Sequence, residues 1–338
     1  MIIRCKAPLR LGFAGGGSDV SPYTDLYGGN VLNATINLSA FCTLEELAEP
    51  VARVQAYDAR ICSRQPLAER LTTGAVLVDG VYNRLVREFG PMPGGFSITT
   101  YNDAPAGSGL CTSSTMVVCI LSAFLAWRDI RLDPYACARL AYEIERIDLG
   151  LAGGKQDQYA AVFGGFNFME FRPDGGVTVH PLAVEEWIVE ELQSSMVLYY
   201  TGRSRSSARI ISEQQKNTSS GNTGAIEAMH RIRQSAVDMR EALLGGNLDR
   251  FSAILGSAWE DKKKMAGAIT NDMIQQAFTV AKEAGAVSGK VSGAGGGGFL
   301  MLMVPPTRKT ELEAALSRLP GKVVPFQFTP KGVYVWKL

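Results

Sequence analysis

Between residues 103 and 114 the chain reads Asp103-Ala104-Pro105-Ala106-Gly107-Ser108-Gly109-Leu110-Cys111-Thr112-Ser113-Ser114. A β-rich run over residues 95–101 precedes it, and Val117, Ile120, Leu121 and Phe124 follow at helical spacing. Small residues let successive backbone N–H groups point into one concavity, and the start of the helix adds partial positive charge. A strand, loop and helix of this kind make an anion site, with polyphosphate the usual anion. The hydroxyls of Thr112, Ser113 and Ser114 offer further phosphate contacts or a Mg2+ ligand. No Gly-Lys-Ser/Thr closes the loop, so it is not a Walker loop. The structural alternative is a Ser-capped helix behind a flexible loop, and glycines alternating before a hydroxyl triplet weigh against it.

Two other segments are unusually rich in glycine. Gly12-Phe13-Ala14-Gly15-Gly16-Gly17-Ser18-Asp19 follows a strand-like run, yet it does not fit G-x-G-x-x-G and no clear helix opens after it. Its glycines allow close approach of backbone to a ligand, with Asp19 free to accept from hydroxyls; a tight turn with a capping Asp explains it equally well. Lys290-Val291-Ser292-Gly293-Ala294-Gly295-Gly296-Gly297-Gly298-Phe299 lies between two expected strands. A hairpin needs one or two glycines. Bare backbone of this length is expected to lie against something large, such as a phosphate tail or the loop at 105–114.

The remaining pattern reads as short strands and turns over residues 2–10, 31–45, 51–61 and 95–101, with a helix near 66–89. Asp133-Pro134 suits a helix start, and that helix is expected to run to about residue 147. Helices are expected near 226–245, 248–265 and 271–284. The end reads as a split β-α-β unit, with strands at 286–292, 299–304, 323–328 and 332–336 around a helix at 309–319. A formal net charge of +1 gives no field that points to nucleic acid or a membrane surface, and no apolar run approaches the roughly 20 residues of a bilayer span. The start of the chain lacks the separate apolar core of a signal peptide, so the expected address is the cytoplasm. Six scattered cysteines and two distant histidines argue against structural zinc.

Phosphoryl transfer to an alcohol needs a metal on the phosphates, a carboxylate near the attacking hydroxyl and a cation near the developing charge. The candidates lie in Tyr142-Glu143-Ile144-Glu145-Arg146 and Gly153-Gly154-Lys155-Gln156-Asp157-Gln158. Glu143 and Glu145 differ by two positions, so on a helix they face different sides and only one serves the site. Asp157 follows a glycine pair at an expected helix start, where a capping role is the plainer reading.

Together these segments resemble the GHMP kinases. The family's second motif, P-x-G-x-G-L-G-S-S-A, is followed visibly from Pro105 to Leu110 and left at Cys111. The third, K-x-S/T-G-A-G-G-G-G, is matched by residues 290–298. Ala7-Pro8-Leu9-Arg10 is similar to the opening of the sugar-acting members, with Asp19 where galactokinases keep a sugar-binding Asp. Longer strings, among them residues 14–23, 32–37, 143–158 and 200–207, resemble the bacterial heptose kinases within that family. The resemblance implies an α+β, two-lobed fold, with an N-terminal ribosomal-protein-S5-like β/α domain over 1–185 and a C-terminal ferredoxin-like α/β domain over 186–338. It implies ATP bound by residues 105–114, Mg2+ held by Ser113 and Glu145, and Asp157 as the catalytic carboxylate with Arg10 beside it. An Arg there favours the ionised carboxylate, so Asp157 orients the hydroxyl and accepts its proton late.

The implied reaction is transfer from ATP to the anomeric hydroxyl of a heptose 7-phosphate, a step towards GDP-heptose for capsule or other surface polysaccharide. Free fucose or galactose remains an alternative acceptor, and a non-catalytic sensor of sugar and ATP a more remote one. Gly16, Gly17, Ser18, Asp19, Gly295 and Gly296 are the expected sugar contacts, and Lys155, Arg203 and Arg205 the candidate cations for the substrate's own phosphate. The expected partners are thus a small sugar phosphate and ATP, with no nucleic acid and no membrane; a homo-oligomer is left open. A non-glycine residue at Cys111 is expected to take positive φ less freely and to expose a thiol to alkylation.

Overall fold

The computed structural model describes residues 1–202 and 207–338 of the chain. Two long strands, β1 (Ile2–Ala14) and β2 (Gly29–Leu47), pair antiparallel over most of their length, with the short helix α1 (Tyr23–Tyr27) between them. The opening of β1 alternates, with Ile3, Cys5 and Ala7 buried and Arg4 and Lys6 exposed. From Ala7 onward every residue is buried, the pattern of a strand covered on both faces. β3 (Val51–Ala56) and β4 (Ile61–Pro66) form a hairpin, α2 (Val76–Phe89) follows, and β5 (Gly95–Asn102) pairs parallel to β3 and antiparallel to β2. After α3 (Thr112–Trp127), α4 (Pro134–Tyr142), a π-helical turn (Glu143–Asp148) and α5 (Gln156–Phe163), β6 (Phe166–Phe171) pairs with the first part of β2 and β7 (Val177–Pro181) adds beyond it.

The second half begins with α6 (Glu186–Ser194), β8 (Met196–Tyr200), α7 (Ser207–Ser219), α8 (Thr223–Leu244), α9 (Leu248–Lys263) and α10 (Asp272–Glu283). It continues with β9 (Ser288–Val291), β10 (Phe299–Met303), α11 (Lys309–Leu316) and β11 (Lys322–Val323). Its sheet has the order β11-β8-β10-β9 and is antiparallel throughout. A shared apolar cluster joins the halves: Leu9, Leu11 and Phe13 of β1 pack with Phe251 of α9, Phe299 of β10 and Met239 of α8.

Several elements follow from local chemistry. Asp133 accepts from the Ala136 N–H with Pro134 at the first helical position, and Asn222, Asn247 and Asn271 cap α8, α9 and α10 in the same way. α3 is apolar on all sides and nearly all of it is buried, packed against β1, β2, α2, α4 and α5. That burial fixes the start of α3 rigidly beneath the loop at 105–114. No helix among the described residues is long and apolar enough to cross a membrane.

Four expectations are corrected. The strand over 51–61 is a hairpin that turns at residues 57–60, where Arg60 takes positive φ. The helix near 66–89 starts only at Val76. Ahead of it, Asp79 accepts from the Thr73 hydroxyl and the Gly74 N–H, and this side-chain bonding stops the helix from extending backward. The last strand does not complete the second sheet. β12 (Tyr334–Lys337) pairs antiparallel with Ile3 to Lys6 of β1, at the edge of the first sheet. Of the strand expected at 323–328, only Lys322–Val323 forms a ladder; Phe328 instead bridges to Ile36.

Candidate active site

The three glycine-rich segments meet at a cleft of about 280 Å³ between the two sheets. The loop from β5 to α3 turns on positive φ at Gly107 (70°), Gly109 (85°) and Cys111 (70°). Cys111, expected to resist that conformation, adopts it as the residue capping α3, at a cost of roughly 1–2 kcal/mol. Its carbonyl accepts from the Thr115 N–H at 3.0 Å, the first hydrogen bond of α3, and its thiol lies beside the Asp157 carboxylate.

The segment at 290–298 lies against this loop, backbone on backbone. The Phe299 N–H donates to the Ser108 carbonyl at 3.0 Å, and the Ser292 hydroxyl donates to the Gly109 carbonyl at 2.9 Å. A Cβ on Gly109 would come within 2.5 Å of the Ser292 carbonyl oxygen, and one on Gly298 would collide with the Ser108 carbonyl. The buried Lys290 ammonium donates to the carbonyls of Gly12 and Phe13 at 3.0 and 2.9 Å, tying the third segment to the first.

Within the cleft Arg10 reaches Asp157 from β1. Its Nε and one terminal nitrogen donate to Asp157 Oδ1 at 3.1 and 2.8 Å, and the other terminal nitrogen donates to the Gly109 carbonyl at 3.1 Å. Burial opposes the charge on Asp157. The Arg10 guanidinium, the Cys111 thiol and Arg146 outweigh it, and the carboxyl is held below the usual carboxylate range. Beside this pair the Ser113 hydroxyl donates to Glu145 Oε1 at 2.7 Å, and Gln158 donates to Glu145 Oε2 at 2.6 Å. The π-helical turn aims the two glutamates apart: Glu145 is buried at the cleft, while Glu143 pairs with Arg84 outside it. Arg146, next in the turn, bonds the carbonyls of Leu151, Ala152 and Gly154 and the Ser114 hydroxyl, and so holds the loop that leads into Asp157.

Arg10, Gly16, Gly17, Asp19, Gly107, Gly109, Cys111, Thr112, Ser113, Ser114, Glu145 and Asp157 all line this cleft. Other expected contacts are engaged elsewhere. Ser18 is buried and its hydroxyl donates to Gly15 and Asn30 carbonyls. Lys155 lies over the Tyr142 ring, 5.8 Å from its centroid. The Gly296 N–H donates to the Ile269 carbonyl and Gly295 packs on Ile269. Asp19 accepts from the Gly17 and Gln156 N–H groups and from Gln156 Nε2, so three of its roughly four acceptor positions serve the protein. Arg203 and Arg205 lie outside the described residues.

Sequence reasoning missed Lys262. It sits in a run of three lysines that reads as a solvated helix face, yet its spacing from Leu255, Ala258 and Trp259 puts it on the buried side of α9. Its ammonium donates to the Gly293 carbonyl at 2.5 Å and faces the cleft. Burial, with the positive charge of Arg10, pushes it down to about 8.

The Cys111 thiol is pushed well above its usual value, by burial first, so little thiolate is available there. A raised thiol favours slow modification of Cys111, contrary to the expected sensitivity to alkylation. Iodoacetamide at neutral pH is expected to label the exposed Cys62 at least about tenfold faster than Cys111, read by peptide mass spectrometry. Equal rates would show that Cys111 carries a reactive thiolate.

The GHMP kinases N terminal domain profile matches residues 76–165 and the GHMP kinases C terminal profile matches residues 239–322. The chain is 44% identical to a D-glycero-alpha-D-manno-heptose 7-phosphate kinase of Campylobacter jejuni, over 99% of each chain. It superposes on the crystal structure of a D-glycero-D-manno-heptose 1-phosphate kinase from Bacteroides thetaiotaomicron with a TM-score of 0.85 and 53% identity, over 99% of each. A Lactococcus lactis galactokinase in complex with galactose matches at a TM-score of 0.78 and 16% identity, covering 98% of this chain and 95% of that one, a likeness of fold.

Proposed function

Because the chain belongs to the GHMP kinases, we propose that it transfers the terminal phosphoryl group of ATP to the anomeric hydroxyl of D-glycero-α-D-manno-heptose 7-phosphate, giving the 1,7-bisphosphate. The chain is a sugar kinase; the acceptor and the roles of its residues are the proposal. The observation that carries it is the Arg10–Asp157 pair beside the Ser113–Glu145 pair in one glycine-walled cleft. Asp157 orients the acceptor hydroxyl and takes its proton late, after bond formation to phosphorus has made that proton acidic. Arg10 keeps the carboxylate ionised and faces the charge that develops on the transferred group. The N-terminus of α3 and the loop at 105–114 receive the polyphosphate.

The hard oxygens of Ser113 and Glu145, already in contact at 2.7 Å on the cleft wall, suit Mg2+ and would hold it. Bound there, the ion neutralises phosphate charge. The proposal puts the enzyme in the cytoplasm, where ATP is supplied, on the path to GDP-heptose for surface polysaccharide.

The two heptose kinases above differ in the phosphate that their names assign to the substrate, so position is the point to test. Incubation with ATP and heptose 7-phosphate, or heptose 1-phosphate, followed by phosphorus NMR, separates them. A new anomeric phosphate from the 7-phosphate alone is expected. Its absence, with turnover of the 1-phosphate, galactose or L-fucose, would overturn the substrate reading.

Lys262 gives a pH signature. Its ammonium is present below about 8 and is lost as pH rises through that value, so kcat/KM, which reports the free enzyme, is expected to fall there. Lys262→Arg keeps the charge and should remove the alkaline fall. An unchanged profile in that variant would exclude Lys262 from the transfer.

A further inference from the structure

α7 carries a polar run from Glu213 to Asn217 that reads as an ordinary solvated face. Three of these residues anchor the helix. Glu213 accepts from the Gly267 N–H, Gln215 donates to the Ser21 carbonyl, and Asn217 donates to the Met265 carbonyl. Gln214, in their midst, is different. It is only 7% exposed, it lines the cleft with Ala208 and Ile211, and its Nε2 has no hydrogen-bond partner. A buried, unpartnered amide costs about 1–3 kcal/mol, and an aliphatic side chain there would avoid that cost.

The position opposite repeats the pattern with the other sign. Gln156 is also 7% exposed. Its Nε2 is committed to Asp19 Oδ1 at 3.0 Å, which leaves Oε1 as the unpartnered atom. Between the two carboxamides lies the bare backbone of Gly16 and Gly17. A Cβ on Gly16 would lie 3.6 Å from Gln156 Nε2, and one on Gly17 would lie 3.7 Å from Gln214 Oε1. Each carboxamide thus adjoins this backbone and keeps one polar atom without a partner, Gln214 Nε2 and Gln156 Oε1; the Met229 and Met265 methyls also lie beside Gly17, and Gly12, near Gln156 Oε1, adjoins Arg10.

We infer that Gln214 and Gln156 are the hydroxyl-reading groups of this cleft, with Gln214 Nε2 donating to one sugar hydroxyl and Gln156 Oε1 accepting from another. The inference rests on the sugar-kinase reading and adds its specificity determinant. It explains why Asp19, largely committed within the protein, contributes by orienting Gln156. A site built to hydrogen-bond hydroxyls discriminates strongly against analogues that lack them, because its own polar groups are then left unpaired.

Gln214 is the cleaner test, because Gln156 adjoins Asp157. Gln214→Leu removes the donor at similar volume, and Gln214→Glu replaces it with an acceptor. KM for heptose 7-phosphate is expected to rise about 3- to 15-fold in the Leu variant and further in the Glu variant. ATP KM should stay within about twofold of wild type, and the Tm of the Leu variant should be unchanged or higher, since no protein hydrogen bond is lost. A lower Tm with equal rises in both KM values would mean a structural role and overturn the inference, as would an unmoved sugar KM. If wild-type protein fails to phosphorylate heptose 7-phosphate, the substrate reading falls by itself. The same variants are then compared on galactose and L-fucose, where an unmoved sugar KM again overturns the assignment.

Discussion

Asp157→Asn lowers kcat by about 10²–10⁴ and leaves ATP KM within about threefold of wild type, the pattern of a lost acid–base group. Asn preserves the shape and can still accept from Arg10, so the cleft keeps its geometry. What is lost is the negative charge and the basic oxygen, and Arg10, only 5% exposed, is left without its counter-ion. The variant is therefore also expected to be less stable, and the kinetic comparison belongs well below its Tm. Because the folded-state value of Asp157 is depressed, its ionisation stabilises the fold fully above the unfolded carboxylate value of about 3.9 and ceases to do so only as pH falls through the lower folded value. The Asn variant should lack that acid-range component. Stopped-time assays with saturating sugar and ATP measure kcat, and near-wild-type turnover would remove Asp157 from its role.

Gly298→Ala is expected to cost about 3–5 kcal/mol and to raise ATP KM by tenfold or more on the order-of-magnitude scale of a displaced site. Two effects add. Gly298 has φ of 88°, a conformation that costs an L residue roughly 1–2 kcal/mol. The new methyl also collides with the Ser108 carbonyl, which is backbone and cannot swing aside. Relief of that collision moves the loop proposed to receive phosphate. Gly90 supplies the control: its φ is 84°, and nothing lies within 4 Å of where a Cβ would stand. Gly90→Ala should show the conformational cost alone, with ATP KM unchanged. Urea titration and initial rates on both variants separate strain from collision; equal losses in the two would mean that the contact between loops contributes nothing.

The loop at 105–114 was legible as the link between a strand and an apolar helix, and its small residues are what point to the proposed phosphate role. The stacking of residues 290–298 on that loop was legible as one of two options, since five glycines in six positions must face something that tolerates no side chain. Glu145 over Glu143 could not be chosen from spacing, because the π-helical turn that aims them forms through tertiary packing. Lys262 was hidden in a lysine run whose neighbours, Lys263 and Lys264, do meet solvent and pair with Glu260 and Asp261. Gln214 was hidden in a similar way, within a polar run in which Glu213, Gln215 and Asn217 bond the protein beside the cleft rather than line it. The return of β12 to β1 was illegible because its pairing partner lies at the far end of the chain, beyond any local pattern.

The contacts that tie residues 290–298 to the loop at 105–114, and Lys290 to the carbonyls of Gly12 and Phe13, also bear on how the molecule comes into being. Closing chain loops of this length has an entropic cost that grows slowly with separation, and it must be met before the contacts give anything back. No fragment that carries one of the three segments holds the cleft, however well it folds. During synthesis the first two are made long before the third, so the nascent chain has no assembled cleft until the strand at Phe299–Met303 is available to dock. Chemical competence is thereby coupled to completion of the second sheet.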